Sequence, residues 1–209
     1  MTSFLLIDDH TVVRTGVKIL LADLFMDIQI AEAKDGESAL LLLQQQSFDM
    51  VMLDIQMPNT DTFALMETFK LLYPSIKVLV FSMSPENIFA MRFLKAGALG
   101  FISKDAPLDE IKIAIKKVLS GKKYMSEAML FSLADGDNIK KGNNPFSILS
   151  TREFEIVTMM LNGKTLSNIA ADLSLGTSTV GTHKSRIFTK LKVTNLLELK
   201  QLADSFETK

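Results

Sequence analysis

The chain has 209 residues, 47% hydrophobic and 22% charged, a balance that suits one large or two modest folded domains and excludes wholesale disorder. Its longest apolar run, 39–43, is far short of a membrane span, and the absence of cysteine excludes disulfides, thiolate metal sites and cysteine nucleophiles. The net charge of −1 favours no class of partner by itself, and Asp8 and Asp9 arrive before any secretory core could form, so the expected location is cytoplasmic, with no membrane partner.

Residues 1–124 alternate short apolar runs with helical patterns. The strands are predicted at 4–7, 28–33, 50–53, 77–81 and 99–102. The helices that follow them are predicted at 11–24, 37–46, 62–72, 85–96 and 107–119. Five strand-then-helix units predict an α/β doubly wound five-stranded parallel sheet with helices on both faces. Ser84 is placed to cap the helix that begins with Pro85 and Glu86, and Gly97 and Gly121 fall where helices should stop.

Residues 126–134 predict a short helix at the edge of this domain. Asp135 to Ser147 is rich in turn formers and predicts a linker; as a flexible coil it spans about 20 Å root-mean-square. Four helical segments then follow, at 151–161, 166–173, 178–191 and 195–205, making a small all-α module. Ser150-Thr151-Arg152-Glu153 has the capping-box pattern. The domain organisation expected is therefore 1–124, a short helix and linker over 125–147, and 148–209.

Asp8 and Asp9 follow the first strand, Asp54 follows the third, Ser82 ends the fourth and Lys104 comes just after the fifth. In an open doubly wound sheet the carboxyl ends of the strands converge on one crevice, at the point where strand order reverses. Three carboxylates gathered there repel one another unless a cation joins them, and oxygen ligands of this kind suit magnesium. With a metal neutralising charge, an ammonium opposite and a hydroxyl nearby, the crevice can hold a phosphoryl group on Asp54.

Residues 1–124 resemble bacterial response-regulator receiver domains, a flavodoxin-like fold. The matching residues are L-I-D-D-H at 6–10, L-D-I-Q-M-P at 53–58, V-F-S at 80–82 and A-G-A-L-G-F-I-S-K at 96–104. The resemblance implies that Asp54 accepts phosphate from a sensor histidine kinase. It further implies that Asp8, Asp9 and Asp54 with the Gln56 carbonyl organise magnesium, that Ser82 and Lys104 contact the phosphoryl oxygens, and that Phe101 is an aromatic switch coupled to Ser82. Thr62 stands where that family usually has Gly, which predicts a strained or altered loop because Thr tolerates positive φ poorly. Lys104 is followed by Asp105 rather than Pro, so a cis peptide there is not expected.

Charge is unevenly spread: residues 148–209 carry 8 Lys/Arg against 6 Asp/Glu, and 173–197 holds Lys184, Arg186, Lys190 and Lys192 with no acidic residue. A helical projection of 178–191 places Val180, Ile187 and Leu191 on a core face. Thr182, Ser185, Arg186, Thr189, Lys190 and Lys192 then form a polar, cationic set suited to phosphate and base-edge contact in a DNA major groove. His183 lies beside the apolar face, where packing or a phosphate contact is favoured over a metal site. Residues 149–203 resemble the LuxR-type helix-turn-helix of the NarL/FixJ response regulators, through L-S-T-R-E-F-E-I-V at 149–157, S-N-I-A-A-D-L at 167–173 and T-S-T-V-G-T-H-K-S-R-I-F-T-K-L at 177–191. Gly181 departs from the longer DNA-facing side chain common there.

Together the resemblances imply a two-component transcription regulator, not an enzyme, that binds double-stranded DNA. A homodimer is expected, with Leu196, Leu197, Leu199 and Leu202 available for an apolar contact, and RNA polymerase is a further candidate partner. A haloacid-dehalogenase-type phosphotransferase needs D-x-D, whereas Asp8 and Asp9 are adjacent and Asp54 is remote. A protein-binding adaptor remains the other alternative, separable by salt-sensitive DNA retention.

Overall fold

The computed structural model describes residues 1–57, 60–134 and 145–207. The chain divides into two compact units, Met1–Ser126 and Glu127–Lys209. Among the described residues no helix is long and apolar enough to cross a membrane.

The first unit alternates β1 (Thr2–Ile7), α1 (Thr11–Leu24), β2 (Ile28–Ala33), α2 (Gly36–Gln45), β3 (Met50–Leu53), α3 (Thr62–Leu72), β4 (Lys77–Ser82), α4 (Glu86–Ala96), β5 (Gly100–Ser103) and α5 (Leu108–Leu119). The strands pair in parallel in the order β2-β1-β3-β4-β5. Because helices cover both faces, the strands read as continuous apolar runs rather than alternating ones. Phe4, Leu6, Met50, Met52, Leu79, Phe81 and Ile102 pack in one core with Val17, Leu20 and Leu21 of α1 and Ile111, Ala114, Ile115 and Val118 of α5. Alternation sends Leu5, Ile7, Val51, Leu53, Val78, Val80 and Phe101 to the other face, all of them buried.

Order reverses at β1, which leads to β2 on one side and lies against β3 on the other. The crevice of the sheet therefore opens above the carboxyl ends of β1 and β3. Asp54 is locked to that edge by its own backbone N–H, which donates to the Ile7 carbonyl at 2.8 Å.

Several helix starts differ from the sequence expectation. Helix α2 begins one residue early because Asp35 and Ser38 form a reciprocal capping box. Helix α4 has no side-chain cap: Pro85 holds the N-cap position and Ser84, placed there as a cap by the sequence, is buried and accepts from Gln56 Nε2 at 2.8 Å. Thr62 is not strained, since it opens α3 in helical conformation, with Asp61 accepting from the Ala64 amide at 2.8 Å. Gly97 and Gly121 do end their helices at positive φ, 115° and 79°.

The second unit contains α6 (Glu127–Ala134), a 3-10 turn (Pro145–Ile148), α7 (Thr151–Leu161), α8 (Leu166–Asp172), α9 (Thr177–Leu191) and α10 (Leu196–Glu207). Thus α6 groups with the helical unit, not with the edge of the first domain. Most of the expected linker, 135–144, lies outside the described residues. Its last part is not linker, because Phe146 is completely buried and the 3-10 turn packs on α9. Helices α7, α8 and α9 pack mutually around Phe154, Ile156, Ile169, Val180 and Ile187, and α10 packs on α7. The Ser150 and Glu153 capping box is formed in both directions.

Candidate functional site

Four strand ends deliver the acidic site. Asp8 and Asp9 leave β1, Asp54 leaves β3, Ser82 ends β4 and Lys104 follows β5, its N–H donating to the Ser82 carbonyl at 3.0 Å. The Lys104 ammonium bridges Asp8 Oδ2 at 2.6 Å and Asp54 Oδ2 at 2.7 Å. Burial, the largest single influence on this ammonium, pulls its pKa down, but the charges and hydrogen bonds of Asp54 and Asp8 together outweigh it and hold it above its usual value. Lys104 is therefore a fixed positive charge between two buried carboxylates.

The other oxygens are directed by backbone. Asp54 Oδ1 accepts from the Gln56 N–H at 3.0 Å, and Asp8 Oδ1 accepts from the His10 N–H at 2.8 Å. Ligand atoms of Asp8, Asp9, His10 and Asp54 all lie within 4.8 Å of one another. Asp9 Oδ1 is enclosed without a hydrogen bond, although the His10 ring nitrogen stands 2.9 Å away. Three carboxylates with one ammonium leave excess negative charge, and an unused carboxylate oxygen points to the same deficit. The donor set fits a hard divalent cation. His10 stood in the quoted motif but had no assigned role; its proximity follows only from the fold.

Ser82 and Phe101 are both buried. The Ser82 hydroxyl accepts from the Ser84 N–H at 3.3 Å and lies 3.5 Å from Ser84 Oγ, turned to its own loop rather than hydrogen-bonded to Asp54. Gln56 reaches Ser84 from β3, so the loops after β3 and β4 are joined through a side chain that sequence reasoning treated only as a backbone ligand. The Phe101 ring is inside, packed where strand alternation places it. No cis peptide occurs after Lys104.

In the helical unit the candidate DNA-facing residues fall into two groups. Thr182, Ser185 and Thr189 are exposed, and each hydroxyl donates to a carbonyl four residues back, at 3.0, 3.1 and 3.0 Å. Their oxygens consequently face solvent as acceptors. Arg186 and Lys192 are exposed, the latter capping α9 at φ 57°. Lys190 differs: its ammonium binds Glu153 Oε2 of α7 at 2.6 Å. Lys184 sits 5.3 Å from the Phe188 ring centre. Gly181 has nothing within 4 Å of where a side chain would begin, so α9 presents bare backbone there. His183 Nδ1 is enclosed without a hydrogen bond. In α10, Leu199 is core, whereas Leu196 and Leu197 are exposed.

A parallel α/β unit with an acidic crevice, followed by a helix-turn-helix unit, defines a receiver-plus-effector protein. Residues 4–116 match the response regulator receiver domain family, and residues 147–203 match the bacterial regulatory proteins of the luxR family. The response regulator GacA of Pseudomonas aeruginosa is 37% identical over 206 residues, covering 97% of this chain and 95% of that protein. The virulence factors putative positive transcription regulator BvgA of Bordetella pertussis is 34% identical over 199 residues, covering 95% of each. A structure of RcsB from Salmonella enterica serovar Typhimurium, bound to promoter rprA in the presence of phosphomimetic BeF3-, superposes with a TM-score of 0.76 at 20% identity, covering 98% of this chain and all of that one, and supports the fold. The chain belongs to the NarL/FixJ-type bacterial response regulators, two-component proteins with a receiver domain and a LuxR-type helix-turn-helix. They are DNA-binding transcription regulators rather than enzymes.

Proposed function

We propose that Asp54 is the phosphate acceptor and that its phosphorylation controls DNA binding by the helical unit. The observation that carries this reading is the Lys104 ammonium bridging Asp54 and Asp8, a fixed cation beside the oxygen that would bear a phosphoryl group. The Asp54 carboxylate attacks phosphorus of a phosphohistidine on a sensor kinase; the P–O bond forms as the P–N bond breaks, and the imidazole leaves. Lys104 and Ser82 then contact the phosphoryl oxygens, Ser82 by turning away from Ser84. That movement frees space beside Phe101, the aromatic switch, and converts a local charge into a packing change.

Asp8, Asp9, Asp54 and the Gln56 carbonyl would hold magnesium. When bound, the ion supplies neutralisation of the clustered negative charge. Incubation with acetyl phosphate and magnesium should label the wild type and not Asp54→Asn; equal acid-labile phosphate on both would reject the assignment.

The proposed division is a receiver over 1–124, a short helix and linker over 125–144, and a DNA-binding module that takes in the Pro145–Ile148 turn and continues to 209. Helix α9 enters the major groove, with Thr182, Ser185 and Thr189 offering acceptors to base edges and Arg186 and Lys192 near phosphates, while Lys190 on the same face is tied to Glu153. A homodimer reads two half-sites, and the exposed Leu196 and Leu197 suit its contact. RNA polymerase is the partner proposed for the transcriptional output, in the cytoplasm.

A further inference from the structure

The acidic turn after β1 is held by a side chain outside the acidic set. Arg14 of α1 donates Nη1 to the Asp8 carbonyl oxygen at 2.6 Å, Nη2 to Thr11 Oγ1 at 3.2 Å and Nε to Glu32 Oε2 at 2.9 Å. Its side chain is only 13% exposed. Lys18, one turn further along α1, takes the other Glu32 oxygen at 2.5 Å. The Glu32 carboxyl is held below its usual range, first by the Lys18 hydrogen bond and then by that of Arg14. Glu32 is shared by both cations, so the trio keeps a net positive charge, and the hydrogen bond to the Asp8 carbonyl is what gives the guanidinium its direction toward the turn.

The carbonyl it grips belongs to the peptide that joins Asp8 to Asp9. A peptide unit is planar, so fixing its oxygen fixes the path into the Asp9 Cα. Asp8 does not need this help, because its N–H donates to the Ala33 carbonyl and its two carboxylate oxygens are taken by the His10 N–H and the Lys104 ammonium. Asp9 is held less firmly: its enclosed Oδ1 makes no hydrogen bond and has only the His10 ring nitrogen 2.9 Å away. The backbone path into Asp9 therefore weighs heavily on where its carboxylate lies, and Arg14 fixes that path at the Asp8 carbonyl.

We propose that Arg14 is a positioning residue for the divalent cation of this site: it aims the Asp9 carboxylate through the Asp8–Asp9 peptide, with Glu32 tethering the guanidinium in place. This rests on the reading of Asp8, Asp9 and Asp54 as a cation site. Removing a partner that orients a metal ligand typically weakens metal affinity about 10–100-fold.

The test is a magnesium chloride titration of the full-length 15N-labelled protein without phosphodonor, following the Asp9 and Asp54 amides, with thermal unfolding in chelator as the measure of folding. Arg14→Ala should raise the half-saturating magnesium concentration by about tenfold or more. Arg14→Lys, able to hold the carbonyl or Glu32 but not both, should fall between the two. Glu32→Gln, which keeps an acceptor but leaves the guanidinium charge unbalanced, should also weaken magnesium. A residue of purely structural value would lower the unfolding temperature and leave the magnesium affinity where it was; that result in folded Arg14→Ala overturns the proposal. If Arg14→Ala does not fold, an unchanged affinity in both Arg14→Lys and Glu32→Gln overturns it equally. A wild type whose amides ignore magnesium would take down the cation reading itself, an outcome distinct from loss of the Arg14 effect.

Discussion

Lys190 Nζ and Glu153 Oε2 lie 2.6 Å apart, so a cation on the candidate groove face of α9 is tied to the capping box of α7. Glu153 is buried, while the Lys190 side chain is 40% exposed. Burial pushes the Glu153 carboxyl up, yet the hydrogen bonds from Lys190 and Ser150 outweigh it and hold the carboxyl below its usual range. The stability this group contributes is present above about pH 4.5 and is lost as pH falls through its lower folded value.

Two substitutions on α9 should therefore behave differently. Lys190→Ala should lower stability by about 1 kcal/mol, solvent screening included, and move the onset of acid unfolding upward. Arg186→Ala should leave stability nearly unchanged and make the slope of log affinity against log salt shallower by about 0.9 per protomer. Chemical denaturation from pH 3 to 7, beside DNA titrations at several salt concentrations, checks both. A full salt-slope change for Lys190→Ala with no loss of stability would assign Lys190 to phosphate instead.

Glu86, in the first turn of α4, accepts from the Ser126 N–H at 3.3 Å, and Tyr124 gives its hydroxyl to Glu110 at 2.6 Å. Burial first, then the charge of Glu110, raises the Glu86 carboxyl above its usual value against the opposing Ser126 hydrogen bonds. A raised folded pKa contributes stability below about pH 4.5 that is lost as pH climbs through the folded value. Glu86→Gln keeps an acceptor for Ser126 without the charge. Its unfolding temperature, relative to wild type, should improve from pH 4 to pH 7; a constant difference across that range would contradict the assigned cause.

Ser82→Ala should retain phosphate labelling at Asp54, because Lys104 and the acidic cluster remain. It should reduce the gain in dimerisation or DNA affinity that labelling brings. Sedimentation of the labelled and unlabelled proteins measures this, and a gain of full size would break the proposed link from hydroxyl to Phe101 while leaving Asp54 untouched.

Long periodic segments were legible from sequence: α1 and α3 span the predicted residues because their apolar spacing and flanking turns agree with the tertiary packing. The acidic cluster was legible too, since strand ends converge in this topology whatever the loops do. The failures have a common physical source in side chains whose partners are distant in sequence. Ser84 looks like a cap but serves Gln56, 28 residues away; Lys190 reads as one of the DNA-facing cations but is bound to Glu153, 37 residues away. Phe146, alone among turn formers, gave no periodicity, yet the core of the helical unit buries it. Arg14 reads as an ordinary helix charge until the turn after β1 folds back on it.

The central claim is that phosphate on Asp54 governs the DNA affinity of α9. Its most direct test is the affinity of the full chain for a duplex containing its binding site, measured by fluorescence anisotropy with and without acetyl phosphate and magnesium, for wild type and Asp54→Asn. Moving an equilibrium from 1:99 to 99:1 takes about 5.5 kcal/mol of preference, so a fractional tightening already counts as a response. Wild type should bind more tightly after phosphodonor and Asp54→Asn should not change. An equal tightening of both proteins, or of neither when labelling of Asp54 is complete, would contradict the account.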